Sequence, residues 1–258
     1  MLSDPLFWLA ALLAIAVAGI SKGGFGSGAA FAATPIMAAV AGPGAALAIL
    51  LPILALMDLS GIWAYRKRLN WPVALPLMAA SALGVLLGWL TYRWTDEAAV
   101  QLLIGVIAIG FLAHRLLGGA RTADAAPPRR DRAWRLRNAG FWGSAAGFTS
   151  FVAHAGGPLV AMHLIPQKLD KTDYQGVTVL FFWFANVLKF GPYAALGLFT
   201  EESLTASLIL APLAPLGVAL GVWMHSRVDE ALFYRVIYVL LLLSGGRLIW
   251  SGVAGLTA

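Results

Sequence analysis

The 258-residue chain contains no cysteine. Disulfides, thiol nucleophiles and thiolate metal sites are therefore excluded, and the redox compartment cannot be read. Charge is scarce too. Asp, Glu, Lys and Arg make up 12% of the residues, apolar types reach 60%, and mean hydropathy is +0.81. A soluble domain carries about twice that share of charge, so water is not the main solvent here. The histidines are His114, His154, His163 and His225. None pairs with a nearby carboxylate in a metal-binding spacing, and two histidines four apart are missing, so neither a metal nor a cofactor is expected. The phosphate-loop pattern GxxxxGK[ST] is absent as well, and no nucleophile–base pair is visible, which argues against nucleotide chemistry and against an enzyme.

What is present is a series of apolar runs, at 6–21, 28–42, 45–65, 73–92, 98–113, 138–165, 174–198, 204–224 and 231–251. A bilayer core roughly 30 Å thick takes about 20 apolar residues per helical crossing. The fold class expected is all-α, a polytopic integral membrane bundle with no room for a soluble catalytic domain. Met1-Leu2-Ser3-Asp4 lacks the basic leader and cleavage site of a secretory signal, so the first run is expected to be retained. The net charge of +6 would suit nucleic acid, but the basic residues flank the apolar runs, and positive-inside topology explains them more simply. Trp8, Trp63, Trp71, Trp89, Trp94, Trp134, Trp142 and Trp250 mostly flank the runs too, as an aromatic belt does.

The hydrophilic stretch 115–137 holds Arg115, Arg121, Arg129, Arg130, Arg132, Arg135 and Arg137 against Asp124 and Asp131. It is expected to be a cytoplasmic linker in an inner membrane of bacterial type, between a half-repeat at 1–114 and another at 138–258. Across it, Gly84-Val85-Leu86-Leu87-Gly88 with Asp96-Glu97 matches Gly217-Val218-Ala219-Leu220-Gly221 with Asp229-Glu230 at equal spacing. Setting Ala18-Gly19 on Ala146-Gly147 without gaps also sets Gly28 on Gly156, Asp58 on Asn186 and Tyr65 on Tyr193. Such repeats are common in transporters with the substrate site between the halves, although small-residue helix packing can imitate them. Each half opens with an interrupted segment, broken at Gly23 to Gly28 in the first and at Gly156-Gly157-Pro158 in the second. If each enters and returns on one side, Arg66-Lys67-Arg68, Lys168 and Lys171 are cytoplasmic, Glu201-Glu202 is external, and the halves are inverted.

Away from the span ends, the formal charges are Lys22, Asp58 and Lys189. Charges at such depth normally face a partner, the bundle interior or a water-filled path. Two cations against one anion leave an excess positive charge, which is what an anion site needs, especially beside half-helix N-termini with free backbone N–H groups. Gly23, Gly24, Gly26, Ser27 and Gly28 in one break, and Ser150, His154, Gly156 and Gly157 in the other, join Lys22, Asn186 and Lys189 as the expected substrate-binding set. Asp58 and His154 are candidates for coupling or for structural pairing. The plainer alternatives are a structural Lys–Asp pair, a close-packed helix kink and a neutral histidine bonded to a carbonyl. Replacing Lys22 or Lys189 with Met is expected to lower transport without unfolding the protein.

The string Ala18-Gly19-Ile20-Ser21-Lys22-Gly23-Gly24-Phe25-Gly26-Ser27-Gly28, followed by Thr34-Pro35 and repeated from Ala146-Gly147 to Pro158, resembles the sulfite exporter TauE/SafE family, also called the TSUP transporters. The likeness covers essentially the whole chain and rests on order and duplication more than on any single glycine pattern. Phe25 and Ser27 stand where the family is often glycine-richer, and His154 where a small residue is usual. The resemblance implies a secondary transporter of sulfite, sulfoacetate or related organosulfonates. The residues alone reach only a small anion, moved by a carrier or by an anion channel, with a short carboxylate as another cargo. Expected partners are that anion, a coupling proton or other ion, and the bilayer. Nucleic acid is not among them, and a homodimer stays open.

Overall fold

Backbone groups in a bilayer core have no water to bond, so a chain this apolar satisfies them within helices. The computed structural model describes residues 1–25, 30–92, 94, 96–118, 132–224, 227 and 230–257, and no strand occurs among them. The first half holds α1 (Pro5–Gly24), a 3-10 turn (Ala30–Ala32) leading into α2 (Ala33–Ala41), α3 (Pro43–Tyr65), α4 (Trp71–Tyr92) and α5 (Glu97–Gly118). The second holds α6 (Arg132–Ala153), α7 (Gly157–Leu164), α8 (Lys171–Ala195), α9 (Glu201–Leu210), α10 (Leu213–Met224) and α11 (Glu230–Thr257). Helices α1, α3, α4 and α8 are each long and apolar enough to cross a membrane, and α9 with α10 passes as a bent pair. Large apolar side chains face outward, among them Leu9, Leu208 and Trp250. The protein is an all-α, polytopic integral membrane bundle.

Local sequence explains the helix boundaries. Asp4 accepts from Leu6 N at 2.9 Å ahead of Pro5, and Asp170 accepts from the N–H groups of Thr172 and Asp173 at 2.8 and 2.9 Å, so both helices start on a capped N-terminus. Gly42 takes φ +80° between α2 and α3, a conformation that favours glycine. The expected single run 204–224 is corrected. It bends by 42° between α9 and α10, where Pro212 follows Ala211 and removes a backbone donor. The second break is also displaced, because Gly157 and Pro158 already belong to α7 and the interruption falls at His154 to Gly156. Proline is tolerated in a first helical turn, so it marks the start of α7 instead of the gap. The stretch 115–137 is helical at both edges, within α5 and α6, while 119–131 lies outside the described residues.

Helix pairing crosses the two halves. Helix α1 packs on α10, α6 packs on α4, α3 meets α8 and α5 meets α11. Glycines set the distance: a Cβ at Gly84 would lie 1.9 Å from the Ser144 carbonyl oxygen, and one at Gly221 would lie 2.4 Å from that of Ile20. Backbone contact this close is how membrane helices associate without a hydrophobic driving force between them.

Contacts also separate the two ends of the bundle. At one end the N-terminal ammonium pairs with Glu202 at 3.0 Å, a Cβ at Gly44 would lie 3.6 Å from Leu198, and one at Gly42 would lie 3.1 Å from Glu97. At the other end Arg68 pairs with Asp170 and Asp173 at 3.8 and 3.7 Å. The α1–α2 segment starts and finishes at the first end. In the second half His163, on the last turn of α7, sits 3.4 Å from Asn138 near the start of α6, so that segment also folds back on itself.

Candidate functional site

The two interrupted segments and the centres of α3 and α8 converge on one buried polar cluster. Lys22, in the last turn of α1, pairs with Asp58 of α3, and both are buried. The other carboxylate oxygen of Asp58 accepts from Asn186 Nδ2 at 2.6 Å. The two residues that the repeat aligns therefore touch each other. Lys22 Nζ also lies 4.9 Å from the ring centre of Phe182, within cation–π range.

Lys189 is wholly buried and makes no ion pair among the described residues. Its ammonium is held by the Ser150 carbonyl at 3.0 Å, the Ser150 hydroxyl at 3.2 Å and His154 Nδ1 at 2.7 Å. Three partners occupy the three N–H bonds of an ammonium. With Nδ1 accepting, His154 carries its proton on Nε2, which lies 3.1 Å from the Leu47 carbonyl oxygen and donates to it. A neutral imidazole therefore bridges a buried cation and a helix carbonyl.

His154 owes its place to the way α6 ends. His154 N donates to Ser150 O at 3.0 Å and Ala155 N to Thr149 O at 3.1 Å, with His154 at φ +50°. The bond from His154 N to the carbonyl four residues back is the αL closure of a helix, in which the left-handed residue is usually glycine. Holding a side chain there costs about 1–2 kcal/mol, offset by the bonds to Lys189 and Leu47. The ungapped repeat sets Gly26 at this position in the first half.

A cavity of about 10 Å³ sits against the cluster, room for roughly one water. Lys22, Ser150, His154 and Asn186 form its polar side, with Gly157 at the N-terminus of α7, whose dipole favours negative charge. Phe31, Leu54 and Phe182 form an apolar wall. A three-oxygen anion does not fit this volume with the side chains as they stand.

The structure brings Lys22, Asp58, Ser150, His154, Asn186 and Lys189 together, with Gly157 beside them. Gly156 caps α7, and a Cβ there would lie 2.8 Å from Ala146 O. Gly23 does something else: a Cβ would lie 2.2 Å from Val218 O, so this glycine seats α1 on α10. Gly24 ends α1 beside it. Gly26, Ser27 and Gly28 lie outside the described residues.

Sequence reasoning missed Phe182, the Leu47 carbonyl and two tyrosine bonds. Tyr65 donates to Gly23 O and Tyr193 to Phe151 O, each at 2.5 Å. Both acceptors are carbonyls in the last turn of a broken helix, which the helix itself leaves unpaired. The alignment of Tyr65 on Tyr193 was the available signal.

No curated protein and no solved structure matches the chain. The family model described as sulfite exporter TauE/SafE matches residues 11–248. With that match spanning nearly the whole helical bundle, the chain belongs to the sulfite exporter TauE/SafE family, a family of membrane transporters.

Proposed function

We propose that the protein is a secondary carrier that moves a small sulfur-containing anion across the inner membrane by alternating access. Sulfite, sulfoacetate and other organosulfonates are the cargo class. The observation that carries this reading is charge. Lys22 and Lys189 are both buried at the meeting point of two broken helices, and among the described residues only Lys22 has a carboxylate partner there, Asp58. An uncompensated buried cation is costly, and a bound anion removes that cost while its oxygens take donors from Lys22, Ser150, Asn186 and the start of α7. Lys189 acts here through its charge and through its hold on Ser150 and His154. His154 and Asp58 are the groups placed to exchange a proton during coupling. Flux separates this reading from an anion channel: a carrier saturates and shows counter-flow, whereas large uncoupled currents would mark a channel.

We further read the bundle as two inverted halves, 1–114 and 138–258, joined by a cytoplasmic linker at 115–137. Three features support this. Helix pairs exchange between the halves, Asp58 meets its aligned residue Asn186, and Tyr65 and Tyr193 make matching bonds. The Arg68 contacts with Asp170 and Asp173 put two basic loops at one end, which positive-inside topology makes cytoplasmic. Single cysteines at Lys171 and Glu201 test it without background. An impermeant thiol reagent on intact cells should label Glu201→Cys and spare Lys171→Cys, and the reverse pattern would dismiss the inverted arrangement.

Binding to purified protein across sulfite, sulfate, sulfoacetate, taurine and short carboxylates tests the cargo class. Taurine, a zwitterion, should bind less well than sulfoacetate because its ammonium meets a net positive site. Equal affinity for the two would remove the charge argument.

A further inference from the structure

Two buried side-chain polar atoms among the described residues have no hydrogen-bond partner: Thr34 Oγ1 and Gln175 Nε2. A buried donor left unpaired costs more than a made hydrogen bond contributes, and native proteins keep few of them. Both residues are essentially inaccessible, and each lies one or two helical turns from a residue that lines the central cavity, Thr34 from Phe31 and Gln175 from Phe182.

Thr34 lies three and four residues beyond Phe31 and Ala30, which line that cavity, and so falls on the same face one turn further on. Helix α2 continues from there to Gly42, at the end of the bundle that holds Glu97 and Glu202. Gln175 starts a stripe along α8 that runs through Thr178, Phe182, Asn186 and Lys189, at helical spacing and buried throughout. At 1.5 Å per residue it lies roughly 10 Å below Phe182, toward the end that holds Arg68. Thr178 donates its hydroxyl toward Gln175 O at 3.0 Å and Gln175 Oε1 at 3.3 Å. That contact occupies the amide oxygen and leaves the NH2 group unspent.

We propose that Thr34 and Gln175 are two further anion contacts, an outer and an inner station on either side of the central cavity. This rests on the transport reading and deepens it. A hydroxyl and an amide NH2 both donate to the acceptor oxygens of a sulfite or sulfonate group. As neutral donors they hold an oxyanion more weakly than the lysines do, which suits positions the cargo must leave. The two stations are not copies of each other. The ungapped repeat sets Met162 at the place of Thr34 and Leu47 at the place of Gln175, so each half contributes one station on its own side.

Thr34→Val and Gln175→Leu remove the donors at nearly constant volume. Uptake of radiolabelled sulfite and of sulfoacetate is measured in right-side-out and inside-out vesicles, with thermal unfolding of each purified variant. Thr34→Val should raise KM roughly three- to tenfold for anion presented at the outer face, and Gln175→Leu by the same factor at the inner face. The opposite face should change less than about twofold, and neither variant should melt below the parent, since each loses an unpaired buried group. Parental vesicles that move neither anion would overturn the transport reading and this inference with it. Parental uptake with both variants at the parental KM would overturn this inference alone. So would a lower melting temperature with unchanged KM, which marks the two groups as structural.

Discussion

Replacing Lys22 with methionine is expected to abolish anion transport and to destabilise the protein by about 3–5 kcal/mol. The sequence by itself predicts lowered transport with the fold intact. The ion pair changes that, because Asp58 is completely buried and among the described residues would keep only Asn186 as a partner. The double variant Lys22→Met with Asp58→Asn separates the two effects. With no carboxylate left to strand, most of the stability should return, while transport stays lost because the cation facing the cavity is gone. Thermal unfolding in detergent and uptake into proteoliposomes read the two quantities independently. Transport recovered in the double variant would make Lys22 a structural partner of Asp58 and nothing more.

Gly84→Ala is expected to cost about 2–4 kcal/mol, although it adds one methyl group and favours the helix by intrinsic propensity. The methyl would sit 1.9 Å from the Ser144 carbonyl oxygen and 2.6 Å from Phe148 N. Backbone atoms cannot swing aside as a flexible side chain does, so α4 and α6 must part. Ser150 and Phe151 follow on α6 and His154 lies just past its end, and transport should fall along with stability. Gly110→Ala is the control, since nothing lies within 4 Å of a Cβ there. Its melting temperature should be unchanged or higher, helix propensity favouring alanine by up to about 1 kcal/mol. Equal behaviour of the two variants would show that the α4–α6 contact does not hold the bundle together.

Much of the architecture was legible because the bilayer imposes it. Apolar runs near Pro5–Gly24, Pro43–Tyr65, Trp71–Tyr92 and Lys171–Ala195 became helices close to their expected extents. The bend between α9 and α10 was not read, since Pro76 and Pro192 sit within continuous helices while the turn at Ala211-Pro212 breaks one. Proline removes a hydrogen bond in every case, and whether the helix breaks depends on what packs around it. Gly23 has a packing role that the sequence did not show. Gly23 reads as a loop residue that lets a ligand approach, yet its missing Cβ is filled by the backbone of α10.

The sequence alone determined that this chain is a membrane bundle, that Lys22, Asp58 and Lys189 are its deep charges, and that it resembles the family to which it belongs. The first two conclusions follow from composition and from the cost of placing charge in lipid, which no packing arrangement alters, and the resemblance rests on the order and duplication of the glycine motifs. Only the tertiary structure decided which cation pairs with Asp58, that Lys189 is held by Ser150 and His154, and that Thr34 Oγ1 and Gln175 Nε2 have no partner among the described residues. Each of these depends on which faces of α1, α3, α6 and α8 turn toward one another across long separations in sequence. The helical period places residues on a face, and only packing decides what that face meets.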